Sequence, residues 1–593
     1  MPPTRRCAAR ARRVLVALAA CALAACGDDD DLGPGDTSSA DSASDAAPDA
    51  RDDARDDVAR WDRTAAPWPM FGGDPQRSGR SPFVGPSSVD EGASWRYEVV
   101  AGASVNMQPT LTAAGVFFGS WGIDRGAATA DPATSRKSDG HYYGLDAAGH
   151  ELFPPFDPAP LAACYRYDEA ISAKDEEWCG AGNDLHVTFY NGTIEGTGLV
   201  DPWNGRHYVG RGDGRLYALD TAPSTDAAAR VVWSFATFDP TEPQHPDGGG
   251  EIVGGPAMGP DGTLYFATYG LPYPAAADAP LRETQAVYAV SRDGALVWRY
   301  PSASPSLDNT VVAAVALAPD GATVYVATWL SDTKVPGRLL ALDATAPAST
   351  SDAQRLRWSL ALANADRPGS PALWTRHVSV GADGTVFLGC AESRFLGFAA
   401  AVVAVGPGGS IQWIAEPHGY ADAATTLVQG LALGDGVLFA STGDPRDLDG
   451  KQGLLAALDP ADGAVLATFD PDDDAAGSMT GPLLDAGGHV YVGTRGRHDY
   501  FAEPFAAGSQ WRHGVMFGIA WDAGAKTLSE LWRRPADFLL DWATPALDAH
   551  GVLYYGSTAP LPIDTAATRW KPLSGTPPRT STWFYAVSDG RAR

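Results

Sequence analysis

The sequence predicts an all-β protein, an eight-bladed β-propeller of four-stranded antiparallel blades whose ring is closed by an N-terminal strand. Three observations carry this. A unit of short β-rich runs joined by Asp-Gly turns recurs eight times along the 593 residues. Glycine (66) and proline (46) are abundant without a collagen-like period, which suits many short strands and tight turns. The last copy lacks its fourth strand, and a matching strand without a blade stands ahead of the first copy.

The unit is clearest where Gly255-Pro256-Ala257-Met258 leads into Thr263 to Thr268, then Ala286 to Val290, then Ala295 to Tyr300. Asp261-Gly262 and Asp293-Gly294 supply the positive φ that tight hairpins need. The first copy spans Pro109 to Ser120 with Tyr142-Tyr143-Gly144-Leu145-Asp146. A second joins Tyr208-Val209-Gly210, Leu216-Tyr217-Ala218-Leu219-Asp220 and Trp233. Later copies centre on Val324-Tyr325-Val326, Val386-Phe387-Leu388, Val437-Leu438-Phe439, Val490-Tyr491-Val492 and Leu553-Tyr554-Tyr555. Fourth strands often carry a tryptophan (Trp358, Trp413, Trp532), placed to pack between blades. The final copy ends at Phe584-Tyr585-Ala586-Val587, so Ser94-Trp95-Arg96-Tyr97 is expected to complete it and remove two sheet edges.

Ahead of the repeats the chain reads as an address. Arg5, Arg6, Arg10, Arg12 and Arg13 precede an apolar run from Val14 to Ala25, too short to span a membrane and right for a signal-peptide core. Leu23-Ala24-Ala25-Cys26-Gly27 resembles the lipobox of bacterial lipoproteins, which implies lipidation at Cys26. The pattern at Cys21 fits less well, because polar sequence begins directly after Cys26. Residues 26–63 are Asp, Ala, Ser, Gly and Pro with almost no large apolar side chain, which predicts a disordered acidic tether. The expected organisation is a signal peptide at 1–25, the tether at 26–63 and a single propeller with loop insertions at 64–593. A net charge of −28 disfavours nucleic acid and anionic lipid surfaces, which require a basic face.

Trp68-Pro69-Met70-Phe71-Gly72-Gly73-Asp74-Pro75-Gln76-Arg77-Ser78-Gly79 and the recurring Gly-x-Leu-Tyr-Ala-Leu-Asp resemble the opening and blade motifs of pyrroloquinoline-quinone-like (PQQ-like) repeat propellers, over about 68–590. The family mixes activities, so the resemblance speaks to fold more than to function. Its quinoprotein dehydrogenases imply PQQ and calcium in the funnel, a tryptophan and an adjacent-cysteine disulfide around the quinone, a carboxylate base, and Glu/Asn/Asp calcium ligands. This chain has no adjacent cysteine pair.

Polar groups ahead of the innermost strands are the funnel candidates: Asn106, Glu251, Asp308-Asn309, Arg376-His377, Gln429 and Asp541, with Glu251, Asn309 and Asp541 foremost for a cofactor. No catalytic residue is assigned. Asp444 to Gly450 loosely resembles a calcium loop but lacks a twelfth-position glutamate. Arg211-Gly212-Asp213 spells an adhesion tripeptide at a repeat turn. Neither Gly-x-Ser-x-Gly, His-Glu-x-x-His nor a P-loop occurs. Cys164 and Cys179 flank an insertion and can pair in an oxidising compartment, whereas Cys390 reads as a buried thiol. Insertions at 122–140, 156–197, 494–514 and 558–581 are where recognition is expected. The function read from this is a lipid-anchored cell-envelope protein presenting a non-catalytic binding or scaffold surface to an envelope or outer-membrane protein. The competing readings are a PQQ- and calcium-dependent oxidoreductase of alcohols or sugars, and a surface adhesion or glycan-binding module.

Overall fold

A computed structural model describes residues 62–99, 104–105, 107–120, 140–158, 194, 196–212, 214–226, 229–237, 252, 254–268, 285–302, 314–328, 337–362, 373–394, 397–417, 427–443, 453–471, 478–495, 514–536, 540, 544–558 and 582–591. Its described strands form eight antiparallel sheets, one per repeat. Strand β1 (Trp95–Val99) comes first, and blade 1 follows with β2 (Thr110–Thr112), β3 (Gly115–Gly119) and β4 (Tyr142–Leu145). Blade 2 holds β5 (Leu199–Val200), β6 (His207–Gly210), β7 (Arg215–Leu219) and β8 (Val231–Ala236). Blade 3 holds β9 (Ala257–Met258), β10 (Leu264–Ala267), β11 (Val287–Val290) and β12 (Leu296–Tyr300). Blade 4 holds β13 (Ala316–Leu317), β14 (Thr323–Ala327), β15 (Arg338–Asp343) and β16 (Leu356–Ala361). Blade 5 holds β17 (Leu373–Val380), β18 (Val386–Arg394), β19 (Gly397–Val405) and β20 (Ile411–Ala415). Blade 6 holds β21 (Leu427–Gly434), β22 (Val437–Gly443), β23 (Leu455–Leu458) and β24 (Val465–Phe469). Blade 7 holds β25 (Leu483–Leu484), β26 (His489–Thr494), β27 (Val515–Asp522) and β28 (Thr527–Pro535). Blade 8 holds β29 (Ala546–Leu547), β30 (Leu553–Gly556) and β31 (Thr582–Val587), and is completed by β1.

Burial follows position in the blade. Middle strands such as β10 and β30 are buried on both faces, because each lies between neighbouring blades, and they read as continuous apolar runs. Outermost strands such as β8 alternate half-buried with exposed residues, as an edge with one wet side should. Cys390 is a buried thiol within β18.

The closing strand is a true fourth strand. Trp95 of β1 lies opposite Ala586 of β31. The same tryptophan–small pair recurs as Trp233 with Ala218, Trp298 with Ala289, Trp358 with Ala341, Trp413 with Ala404 and Trp532 with Gly518. In these five the register shifts directly after the small residue, a bulge that adds twist and makes room for the indole.

The indoles then dock onto the next blade. Trp233 Nε1 donates to Arg292 O (3.0 Å), Trp358 Nε1 to Pro407 O (2.9 Å) and Trp413 Nε1 to Pro460 O (3.1 Å). Trp95 Nε1 donates to Ala147 O of blade 1 (2.9 Å), so the ring's seam is made like its other joints. Two tryptophans depart from this. Trp532 Nε1 donates to Pro86 O (2.8 Å), and Trp298 is covered by the Arg355 guanidinium, 4.5 Å from its ring centroid. Arg355 lies in the short helix α1 (Asp352–Arg355), which occupies the place of the Asp-Gly turn in blade 4.

Blade 1 departs from the expected four strands. Among the described residues beyond β4, blade 1 adds isolated bridges, Leu145 with Glu151 and Tyr142 with Phe156. Pro154-Pro155 cannot donate to a ladder, so residues 151–156 cover the edge without becoming a regular strand.

Candidate functional site

The ring has two unlike faces. First and second strands of each blade are joined by turns of two to six residues, for example 113–114, 201–206, 435–436 and 548–552. At the opposite ends, the links between second and third strands and between blades are ten residues or longer, apart from 211–214 and 395–396. The longest are 120–141, 146–198, 237–256, 268–286, 495–514 and 557–581. All four insertions read from the sequence belong to this face.

The tight-turn face is sealed at its centre. First strands of neighbouring blades touch one another, as β2 touches β5 and β29, β13 touches β17, and β21 touches β17 and β25. Residues 64–90 lie across their C-terminal ends as a strap that serves the blades in order. Trp68 O accepts from Leu111 of blade 1 and Pro69 O from Val200 of blade 2, both at 2.8 Å. Pro75 O accepts from Leu317 of blade 4 (2.8 Å), Gln76 O from Val380 of blade 5 (2.9 Å), Ser78 O from Leu433 of blade 6 (2.7 Å) and Gly79 O from Leu484 of blade 7 (2.9 Å). Blade 8 is reached when Asp90 N donates to Ser588 O (2.8 Å). Gln108 adds a relay, accepting from Gly72 N and donating to Pro545 O, both at 2.7 Å.

Arg77 joins blade 3. Its guanidinium is fully buried and donates to Gly255 O and Pro256 O of blade 3, Val315 O of blade 4 and Phe71 O of the strap (2.6–2.9 Å). Burial pushes its pKa down to about 9, with Asp74 opposing. Phe71 stands between Gly255 of blade 3 and His377 of blade 5, with ring centroids of Phe71 and His377 5.3 Å apart. His377 is buried, and desolvation lowers its pKa to about 4 although the Arg77 main chain opposes the shift by hydrogen bonding. The imidazole is therefore neutral at pH 7. Its Nε2 has no hydrogen-bond partner among the described residues.

Of the sequence-predicted residues, His377 lies on this floor, and Gln429, at the N-terminal part of β21, donates to Ser478 Oγ (2.9 Å). Asn106, Glu251, Asp308, Asn309 and Asp541 lie outside the described residues, as do Cys26, Cys164, Cys179 and the 444–450 loop; for Arg376 only the backbone is described. The adhesion tripeptide is disarmed, since Arg211 is fully buried and pairs with Asp157 at 2.8 Å. Phe71 and Arg77 stand in the opening motif without any role being read for them, and Gln108 was not singled out at all. Their signal is a glycine-rich run with a lone arginine and no strand period.

The residues foremost for PQQ and calcium, Glu251, Asn309 and Asp541, precede the first strands at the ends away from the strap and lie outside the described residues; the floor's own Arg77 and Asp74 are engaged within the fold. Four N–H groups of Arg77 are spent on main-chain carbonyls, and Asp74 accepts from its own turn through the Ser78 main chain and hydroxyl. Among the described residues no group of three His, Cys, Asp or Glu side chains could hold a metal ion.

No family model and no curated protein matches the chain. Solved structures do. Quinohemoprotein alcohol dehydrogenase ADHIIG from Pseudomonas putida HK5 superposes with a TM-score of 0.52 at 13% identity, covering 91% of this chain and 82% of that one. The quinohemoprotein alcohol dehydrogenase of Comamonas testosteroni gives 0.49 at 15% identity, with 91% and 84% covered. BamB from Moraxella catarrhalis gives 0.43 at 13%, with 83% and 100% covered. At such identities the likeness shows the fold alone, and by that fold the chain is an eight-bladed β-propeller.

Proposed function

We propose that the chain is an envelope-anchored lipoprotein, acylated at Cys26, that presents its propeller as a non-catalytic binding or scaffold surface. The observation that carries this is the division of the ring into a sealed face of tight turns and an open face of long connections. Recognition on a rigid scaffold is carried by such connections. The strap enters beside the 113–114 turn of blade 1, where Ala65 O accepts from Ala113 N (2.8 Å). The first described residues thus join the ring on the sealed side, and the long connections of the opposite face are the surface assigned to an envelope or outer-membrane protein partner.

Two experiments test the reading. Cys26→Ala should abolish incorporation of labelled palmitate and release the protein from membranes; unchanged labelling would sink the lipoprotein assignment. Titration of residues 64–593 with PQQ and calcium should leave absorbance and melting temperature unmoved. The quinoprotein reading, favoured by the fold likeness to an alcohol dehydrogenase, requires saturable binding and a marked rise in melting temperature. In that event Glu251, Asn309 and Asp541 become the residues to mutate.

A further inference from the structure

We infer that the strap is a latch, which couples the eight blades into one cooperative unit rather than covering the axis blade by blade. Three features argue for coupling. The first strands β5, β9, β13, β25 and β29 are two residues long, too short to be held by their own sheets alone. In β5, β13 and β25 one amide each, of Val200, Leu317 and Leu484, donates to a strap carbonyl.

Neighbouring strap residues also serve different blades. Gln76 O binds blade 5, the Arg77 side chain blades 3 and 4, Ser78 O blade 6 and Gly79 O blade 7. Lifting any one of them strains bonds to the next. Finally, the path has no slack. Gly79 sits at φ +68, and a Cβ there would lie 2.9 Å from Leu431 O and 3.0 Å from the Ala432 side chain of blade 6. The ring is thus closed twice, at its rim by β1 and at its axis by the strap.

A passive cover and a latch differ in how the axis opens. Hydrogen exchange of the full chain, read by mass spectrometry at residue level, reports on the amides of Leu111, Val200, Leu317, Val380, Leu433 and Leu484. In the native protein all six are expected to exchange with one opening free energy, that of global unfolding. In Arg77→Lys all six should speed up together, tenfold or more, although Arg77 touches only blades 3, 4 and 5. Acceleration confined to Leu317 and Val380, or six separate opening free energies in the native protein, would overturn the latch. Should Arg77→Lys fail to fold, Ser379→Ala removes only the hydroxyl that donates to Arg77 O (2.7 Å). The latch then requires a common rise of about threefold at all six amides, and a rise at Val380 alone refutes it.

Discussion

The two faces of this ring are made of the same repeat and treated oppositely. On the sealed face the turns are short, their Asp side chains bind their own main chain, and a tryptophan from the preceding blade sits on several of them. At 383–385, for instance, Thr385 N and Oγ1 both donate to Asp383 (2.9 Å). On the open face the connections vary from two residues to more than twenty. The contrast teaches that the fixed, tight turns of the repeat gather at one end of the blades, while the length of the connections varies at the other.

The strongest way to break that comparison is to damage a sealed-face turn and find little effect. Gly463 adopts φ +77, and a Cβ there would lie 2.6 Å from Cε3 of Trp413. Gly463→Val combines backbone strain with overpacking, and should lower unfolding free energy by about 3–5 kcal/mol. Gly408, in the equivalent turn of blade 5, has nothing within 4 Å of such a Cβ. Gly408→Ala should stay within about 0.5 kcal/mol. Urea midpoints of the two variants decide it; similar losses would mean that the indole contact does not matter.

Acid sharpens the comparison differently, because it probes buried groups near the axis and between blades. His207 accepts or donates through Nδ1 to Tyr142 Oη (2.8 Å), is fully buried, and burial lowers its pKa to about 3 against the pull of Asp220. His377 is lowered to about 4. Both are neutral in the fold, whereas in the unfolded chain they take up protons below about pH 6.5. Stability should therefore be intact above pH 6.5 and fall as pH drops toward 4, by roughly 2–3 kcal/mol per histidine. Asp485 works in a lower window. His489 and the Gly85 main chain hold its pKa below the usual carboxylate value despite burial, so its contribution is lost only below about pH 4. His207→Gln should flatten the slope of unfolding free energy between pH 6.5 and 4 by about one proton; an unchanged slope would show that His207 does not titrate on unfolding.

Much of the ring was legible in the residues. Eight copies of a β-rich run gave the blade count, and the unpaired Trp95 strand gave the closure, because strands leave a period-two signature and turns leave Asp-Gly. The strap was not legible as structure. It works through main-chain carbonyls, which any residue supplies, and through one arginine three of whose four carbonyl partners are 178 to 238 positions away. Trp68 to Gly79 could be matched to a family opening, but nothing in their pattern says that they circle an axis. The irregular edge of blade 1 and the Arg355 cap on Trp298 were hidden for a related reason. Each replaces a repeat feature by a tertiary contact.

A smaller effect tests whether the tryptophan docking is a joint or only packing. Trp358→Phe keeps an aromatic ring beside Tyr325 but leaves Pro407 O without its donor. The carbonyl is near solvent, so the loss should be about 1–2 kcal/mol, between that of a surface change and a core truncation.

The smallest expected effect is at the strap's surface. Arg80 pairs with Asp435 through two bonds of 2.7 Å, yet its side chain is 42% exposed and that of Asp435 86% exposed. An ion pair in that setting is worth about 0–1 kcal/mol and is screened by salt. Arg80→Ala should thus change the urea midpoint barely, and less still in 1 M salt, while exchange at Leu484, whose amide donates to the adjoining Gly79 O, stays slow. If Arg80→Ala instead loosened the axis as Arg77→Lys is expected to, the latch would rest on its exposed charges and not on the buried carbonyl ladder.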